Sequence, residues 1–286
     1  MTRAASSPLG QLDRFTPPPR SLALGFLGQV GVAVRGPGGV LYIDPYLSDY
    51  GWPLPDGGVH RLPRAYPPVL EPQAAKDATA VLITHDHADH FDPETLAGMR
   101  RVRPALPVYG PYRCRDTHPD VALEVVPALS PFELGSARVT PVPAAHTTLD
   151  LSSRGYPCYG YVLEWNGVTL YHAGDTLIYG ETPELPGGLL GVLSRWSIDV
   201  ALLPANGGDY FRSHRLQNPV DPNLNFREAV DLASALGVRL LVPTHTDLFG
   251  FNTENLAYLV DYARRSAPRL GLKLMYPGEV HCHVNW

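Results

Sequence analysis

Directly after the apolar run Ala80-Val81-Leu82-Ile83 the chain reads Thr84-His85-Asp86-His87-Ala88-Asp89-His90, so three of its eleven histidines fall within six residues. The run has the length and β-branched content of a buried strand that ends at a polar turn. Residues two apart in an extended chain point the same way, so His85, His87 and Asp89 share a side while the adjacent His90 projects elsewhere. One segment can therefore serve two metal ions. Asp92-Pro93-Glu94 then supplies an N-cap followed by proline at the first helical position, and residues 95–99 continue as a short helix.

The same pattern, an apolar run delivering a chemistry-bearing residue, recurs along the chain. Strands are expected at 22–27, 30–34 and 40–43, separated by Gly28-Gln29 and Gly36-Pro37-Gly38-Gly39, and this meander ends in Asp44-Pro45-Tyr46-Leu47. Strands at 108–110, 123–126 and 137–142 read as the second half of a first sheet and deliver His146. Asn166-Gly167 predicts a tight hairpin between strands at 159–165 and 168–171, which runs into His172-Ala173-Gly174-Asp175-Thr176. A buried strand at 199–203 ends at Asn206, and another at 238–242 ends in Pro243-Thr244-His245. Between them, Asn225 caps a helix over 226–236 that stops at Gly237. A last helix over 253–265 and strands at 272–275 and 279–284 close the chain; His281 and His283 are read as the outward face of an edge strand.

Residues 1–20, with Pro17-Pro18-Pro19 and no periodicity, predict an extended or disordered arm, and residues 21–286 a single domain. Residues 48–75 form a long loop read as a wall over the site. A second polar segment, 209–225, carries Arg212 and Arg215, whose guanidinium groups suit an anionic substrate. Tyr46 and Asn206, each just beyond a strand end, join them as expected substrate contacts.

The net charge of −5 argues against a nucleic-acid partner. No apolar run approaches membrane-spanning length, and the N-terminus lacks the pattern of a signal peptide, so a cytoplasmic setting is expected. Cys114, Cys158 and Cys282 are odd in number and widely spaced, which reads as reduced, structural thiols.

The string His85-x-His87-x-Asp89-His90 resembles the signature of the metallo-β-lactamase-fold hydrolases. That resemblance implies an α/β fold, an αββα sandwich of two mixed β-sheets flanked by helices. Asp44, His146, Asp175 and His245 resemble its first, third, fourth and fifth motifs. By resemblance, His85, His87 and His146 hold one metal; Asp89, His90 and His245 hold the other; Asp175 bridges; and Asp44 orients the metal loop from behind. Asp89, Asp175 and Asp44 are thus the expected catalytic carboxylates. The nitrogen and oxygen ligands suit two divalent ions, zinc or manganese, with iron also accommodated.

The segments 84–96, 171–176, 202–207 and 225–249 resemble the branch that contains the L-ascorbate-6-phosphate lactonases and related phosphodiesterase-like hydrolases. The implied activity uses a metal-bridging hydroxide to open a small anionic ester, a lactone or a phosphodiester. A broader phosphodiesterase or phospholipase D-like hydrolase, and a non-catalytic metal-bound scaffold, are the alternatives. Glyoxalase II and ribonuclease Z activities share these ligands. The resemblance also implies a homo-oligomer.

Overall fold

Alternate side chains of the opening strands enter two different cores, which is why these segments read as continuous apolar runs. Leu22, Leu24, Leu41, Ile43, Ala80 and Leu82 join one core, with Val139, Tyr161 and Leu163 from later strands. Ala23, Leu27, Tyr42, Val81 and Ile83 face the other way, onto Phe91, Leu96 and Met99.

The computed structural model describes residues 9–12, 14–54, 56–208, 223–250 and 253–285. It opens with α1 (Leu9–Leu12), β1 (Ser21–Gly28), β2 (Gly31–Gly36), β3 (Gly39–Ile43), β4 (Trp52–Pro53) and β5 (Val59–His60). There follow β6 (Ala78–Leu82), α2 (Pro93–Val102), β7 (Val108–Gly110), α3 (Tyr112–Thr117) and β8 (Glu124–Val125). Next come β9 (Phe132–Leu134), β10 (Ala137–Pro143), β11 (Tyr159–Trp165), β12 (Val168–His172) and α4 (Gly188–Leu193). The chain closes through β13 (Val200–Pro204), α5 (Phe226–Ala235), β14 (Leu240–Thr244), α6 (Leu256–Ser266), β15 (Gly271–Leu272) and β16 (Val280–Val284).

One sheet is ordered β16-β1-β2-β3-β6-β7-β8 and the other β15-β14-β13-β12-β11-β10-β9, with β4 and β5 forming a separate ribbon. Both sheets are mixed. In the first, β16 through β3 are antiparallel and β3 through β8 parallel. In the second, β9 through β12 are antiparallel and β12 through β15 parallel. Helix α2 covers the outer face of the first sheet, and α5 packs on α6 and on β13 and β14. Two mixed sheets flanked by helices make the expected αββα sandwich.

Local signals behave as the residues dictate. Asn166 and Gly167 both take positive φ, 52° and 73°, in the tight β11–β12 turn. Asn225 accepts from the backbone N–H groups of Arg227 and Glu228 while the Glu228 carboxylate accepts from Asn225 N–H, a complete capping box. Asp92 caps α2 and also accepts from the Ser48 hydroxyl at 2.7 Å, which ties the loop after Asp44 to the histidine segment.

Two expectations are corrected. Strand β10 belongs to the second sheet, not the first: β8 is only two residues long, and beyond it the chain passes through Pro127 and Pro131 to pair β10 with β9 and β11. His281 and His283 sit opposite Leu24 and Leu22 in the β1–β16 register, so they share the inner face with those leucines, while Cys282 points out. The segment before β1 packs from Leu9 onward, where Leu9 and Leu12 are buried above Gly25; residues 1–8 lie outside the described residues. Among the described residues, no helix is long and apolar enough to cross a membrane.

Candidate metal centre

The loops following β3, β6, β10, β12 and β14 deliver Asp44, the His85–His90 segment, His146, Asp175 and His245 to one edge of the sandwich. Each strand is anchored on both faces, so the positions of these loops are fixed by the core rather than by the ligand residues themselves. Among the described residues, the sets of ligand-type side chains whose donor atoms lie within 4.8 Å of one another are His85/His87/His146, His85/His90/Asp175 and Asp89/His90/His245. All seven expected ligands are therefore brought together.

The rings of His85, His87 and His146 surround one point, with centroids 4.6 to 4.7 Å apart in each pair. On the other side, His245 Nε2 lies 3.6 Å from Asp89 Oδ2 and 3.3 Å from Asp175 Oδ2. Asp175 stands between the two groups: Oδ1 is 3.4 Å from His90 Nε2, and Oδ2 is 3.9 Å from His146 Nδ1. His87 is exposed and His146 half-buried, so the first group faces solvent, whereas His90, Asp89, Asp175 and His245 are buried.

Asp44, expected behind the loop, is fully buried and accepts from His90 Nδ1 at 2.8 Å, from Thr84 N–H at 2.8 Å and from the Thr84 hydroxyl at 2.5 Å. His172 is buried too, and its Nε2 donates to the Val30 carbonyl while Nδ1 accepts from Gly174 N–H, which fixes the turn before Asp175. Gly174 itself has φ 61°, and a Cβ there would meet Thr84 Cβ at 2.8 Å. Backbone strain gathers at the same edge, since Gln29, Asp44, Thr147 and His245 all take left-handed φ without being glycine. Such conformations cost about 1–3 kcal/mol each and persist where the surroundings enforce them.

The electrostatics separate the groups. Burial first, then the neighbouring His90, His87 and His146, hold His85 well below its usual pKa, so it is a neutral ligand. Burial would also lower His90, but Asp175, Asp89 and Asp44 outweigh it and raise its pKa well above the usual value. Burial alone would raise Asp175; His245 and His90 reverse that and keep the carboxyl well below the usual range, hence anionic.

Whether this set fits a cation is tested by its unsatisfied atoms. His85 Nε2, His90 Nε2 and Asp175 Oδ1 are buried without hydrogen-bond partners. Buried polar atoms of native proteins are nearly always paired, and these three converge in one triad. Nitrogen and carboxylate donors left open toward a common centre are what a divalent ion requires, so the residues fit.

The expected substrate contacts fare differently. Tyr46 is buried, its hydroxyl donates to the Tyr50 carbonyl at 2.6 Å, and Arg64 lies over its ring. It packs with Leu248 and Phe249 under the 48–75 segment instead of standing open. Asn206 is also buried and accepts from Asn223 Nδ2 at 3.0 Å, stapling together the two ends of the segment between them. Both were legible as polar residues beyond a strand, but their burial depends on loops distant in sequence. Arg212 and Arg215 lie outside the described residues. The residue that sequence reasoning missed is Gln29, buried in the β1–β2 turn, whose Nε2 donates to Asp89 Oδ2 at 2.7 Å. A lone polar side chain between two apolar strands, in a turn otherwise made of Gly and Val, was the available signal.

Comparison with known proteins agrees with this architecture. Residues 41–246 match the family model described as beta-lactamase superfamily domain, a span that contains Asp44 through His245. A UPF0173 metal-dependent hydrolase of Opitutus terrae is 30% identical over 252 residues, covering 84% of this chain and 90% of that protein. One from Thermococcus kodakarensis is 29% identical over 221 residues, 77% of this chain and 82% of its own. In fold, the chain is similar to a metallo hydrolase from Ignicoccus hospitalis, with TM-score 0.65 and 20% identity over 93% of this chain and 100% of that one. It is similar also to an isothiocyanate hydrolase from Delia radicum gut bacteria, with TM-score 0.68 and 15% identity over 92% and 100% of the two chains. The matched span and the curated relatives together place the chain in the beta-lactamase superfamily, among the UPF0173 metal-dependent hydrolases.

Proposed function

We propose that this metal-dependent hydrolase is binuclear and opens a small anionic ester, a lactone or a phosphodiester, as its resemblance to the L-ascorbate-6-phosphate lactonase branch implies. The observation that carries the reading is the convergence of His85 Nε2, His90 Nε2 and Asp175 Oδ1, buried and without hydrogen-bond partners, between two further triads that share their corners. His85, His87 and His146 would hold one ion, Asp89, His90 and His245 the other, and Asp175 both. Bound there, the ions would supply Lewis acidity and lower the pKa of water from 15.7 to about 7.

The chain's own residues supply order. Asp44 engages His90 Nδ1 and so leaves Nε2 as the ligand atom, a role that fixes both tautomer and ring direction. Asp175, anionic and buried, is suited to hold negative charge between the two ligand groups rather than to take up a proton, because its carboxyl is kept well below the usual range by His245 and His90. Asp89 keeps its Oδ2 facing His90 and His245 under the hold of Gln29. The exposed side, at His87 and His146, is the open approach for a substrate. Its anionic character rests on Arg212 and Arg215. The three cysteines are unpaired, which suits a reducing, cytoplasmic setting.

A panel of lactones and phosphodiesters, given to protein loaded with zinc or manganese, tests the reading. Turnover of either class by the wild type, lost in Asp175→Asn and reduced at least tenfold in Arg212→Ala/Arg215→Ala, is expected. Metal uptake without hydrolysis of any ester would favour the scaffold alternative.

A further inference from the structure

Gln29 occupies a place that the ligand set does not explain. It sits in the short connection between β1 and β2, buried to 1% exposure. Its Nε2 lies 2.7 Å from Asp89 Oδ2, 3.2 Å from His245 Nε2 and 3.4 Å from His245 Nδ1. Asp89 Oδ2 and His245 Nε2 are also the atoms through which these two residues face each other, at 3.6 Å, and Asp89 Oδ2 faces His90 Nε2 at 3.8 Å. The amide thus borders one group of candidate ligands and not a neutral wall.

The backbone of the same residue is committed to the same target. Its carbonyl accepts from His245 N–H at 2.7 Å, so the β1–β2 turn and the end of β14 are joined through two residues of left-handed φ, 56° and 63°. Gln29 N–H donates to the Tyr66 hydroxyl at 3.1 Å, and Tyr66 donates in turn to Asp247 Oδ1 at 2.8 Å, two residues beyond His245. Gln29 Oε1, meanwhile, is buried with no hydrogen-bond partner. A turn that needed only to connect two strands would carry glycine or asparagine here and would bury no amide. An unsatisfied buried oxygen and a disfavoured backbone at one residue point to a role for its other amide atom.

We propose that Gln29 is the positioning residue of the second cation site, holding the Asp89 carboxylate through its side chain and the His245 main chain through its carbonyl, so that with His90 they are placed to receive a divalent ion. An ionised carboxylate oxygen has more than one acceptor direction, so Asp89 Oδ2 can keep the Gln29 bond while it ligates. The His245 main chain is held by the Gln29 carbonyl, which a side-chain substitution leaves in place, so loss of the amide acts on Asp89. Its side-chain hydrogen bond falls on Asp89, a member of the Asp89/His90/His245 group, and its loss therefore weakens one ion selectively. The inference rests on the binuclear reading above.

Zinc titration of chelator-stripped protein, followed by calorimetry, tests it without reference to turnover. Wild type takes up two ions. Gln29→Met, unbranched and of similar reach but without a donor, binds the first ion as wild type does and the second about 10–100-fold more weakly. Gln29→His, which offers an N–H and suits left-handed φ, restores the second ion. Should Gln29→Met not fold, Gln29→Asn keeps the amide and the turn geometry but withdraws the donor by one methylene, with the same expected loss. A Gln29→Met protein that binds both ions as wild type does, or that loses both equally, overturns the proposal, the second result marking a general structural role. A wild type that takes up no zinc overturns the binuclear reading and this inference with it, an outcome distinct from the other two.

Discussion

His90 donates from Nδ1 to Asp44 Oδ2 at 2.8 Å, wholly buried, and thereby directs its Nε2 at Asp175 Oδ1, 3.4 Å away. One carboxylate in the β3 loop thus sets the direction of an imidazole from the β6 loop toward a third group after β12. Replacing Asp44 by Asn keeps the left-handed backbone, φ 46°, and one acceptor for Thr84 N–H, but removes the charge that orders His90. Zinc affinity is expected to fall about 10–100-fold, read by competition with a chromogenic chelator. An unchanged affinity would mean that Asp44 is only a strand-ending residue.

Metal uptake should depend on pH through His90. Its pKa lies well above the usual value, because Asp175, Asp89 and Asp44 outweigh the effect of burial, so the metal-free protein holds a proton there that a cation must displace. His85, held well below its usual value by burial and by three neighbouring histidines, has none to give. Apparent affinity therefore rises with pH until the raised pKa of His90 is passed, and about one proton leaves with uptake near neutrality. Calorimetry in two buffers of different protonation enthalpy counts it; affinity that stays flat between about pH 6 and 8 would contradict the assignment.

Gly174 is required by shape. At φ 61° an added Cβ would stand 2.8 Å from Thr84 Cβ and 2.9 Å from the Tyr159 carbonyl, and neither side of that contact can withdraw, since Thr84 is fixed on Asp44 and Tyr159 lies in β11. Gly174→Ala should lose about 2–4 kcal/mol, the sum of left-handed strain and overpacking. A denaturant midpoint equal to that of wild type would refute the close approach.

The capping box at α5 offers a change remote from the metal loops. Asn225→Ala removes the acceptor for Arg227 N–H and Glu228 N–H and should cost about 1 kcal/mol, with the denaturant slope unchanged. A denaturant midpoint equal to that of wild type would mean that the cap contributes nothing to stability.

The ligand residues were legible because each follows a short, mostly apolar run rich in β-branched residues, the mark of a strand covered on both faces. Asn166-Gly167 and Asn225 were legible for local reasons, a turn type and a cap. What sequence could not fix was which face of an element looks inward. The period of two in β16 shows that His281 and His283 share a side, yet only their register against Leu24 and Leu22 turns that side toward the core. The burial of Tyr46 and Asn206 was illegible for the same reason, since the loops that bury them arrive from Tyr50, Phe249 and Asn223. Gln29 escaped because a single glutamine in a turn carries no spacing; its meaning comes from Asp89, sixty residues away.

The most direct test of the account is the metal content of protein purified without chelator, measured by elemental analysis beside hydrolysis of bis-p-nitrophenyl phosphate, for wild type and Asp175→Ala. The account predicts about two ions per chain and turnover in the wild type, with hydrolysis abolished and the ion count reduced in the variant. A wild type that holds no ion even after reloading with zinc or manganese would contradict it.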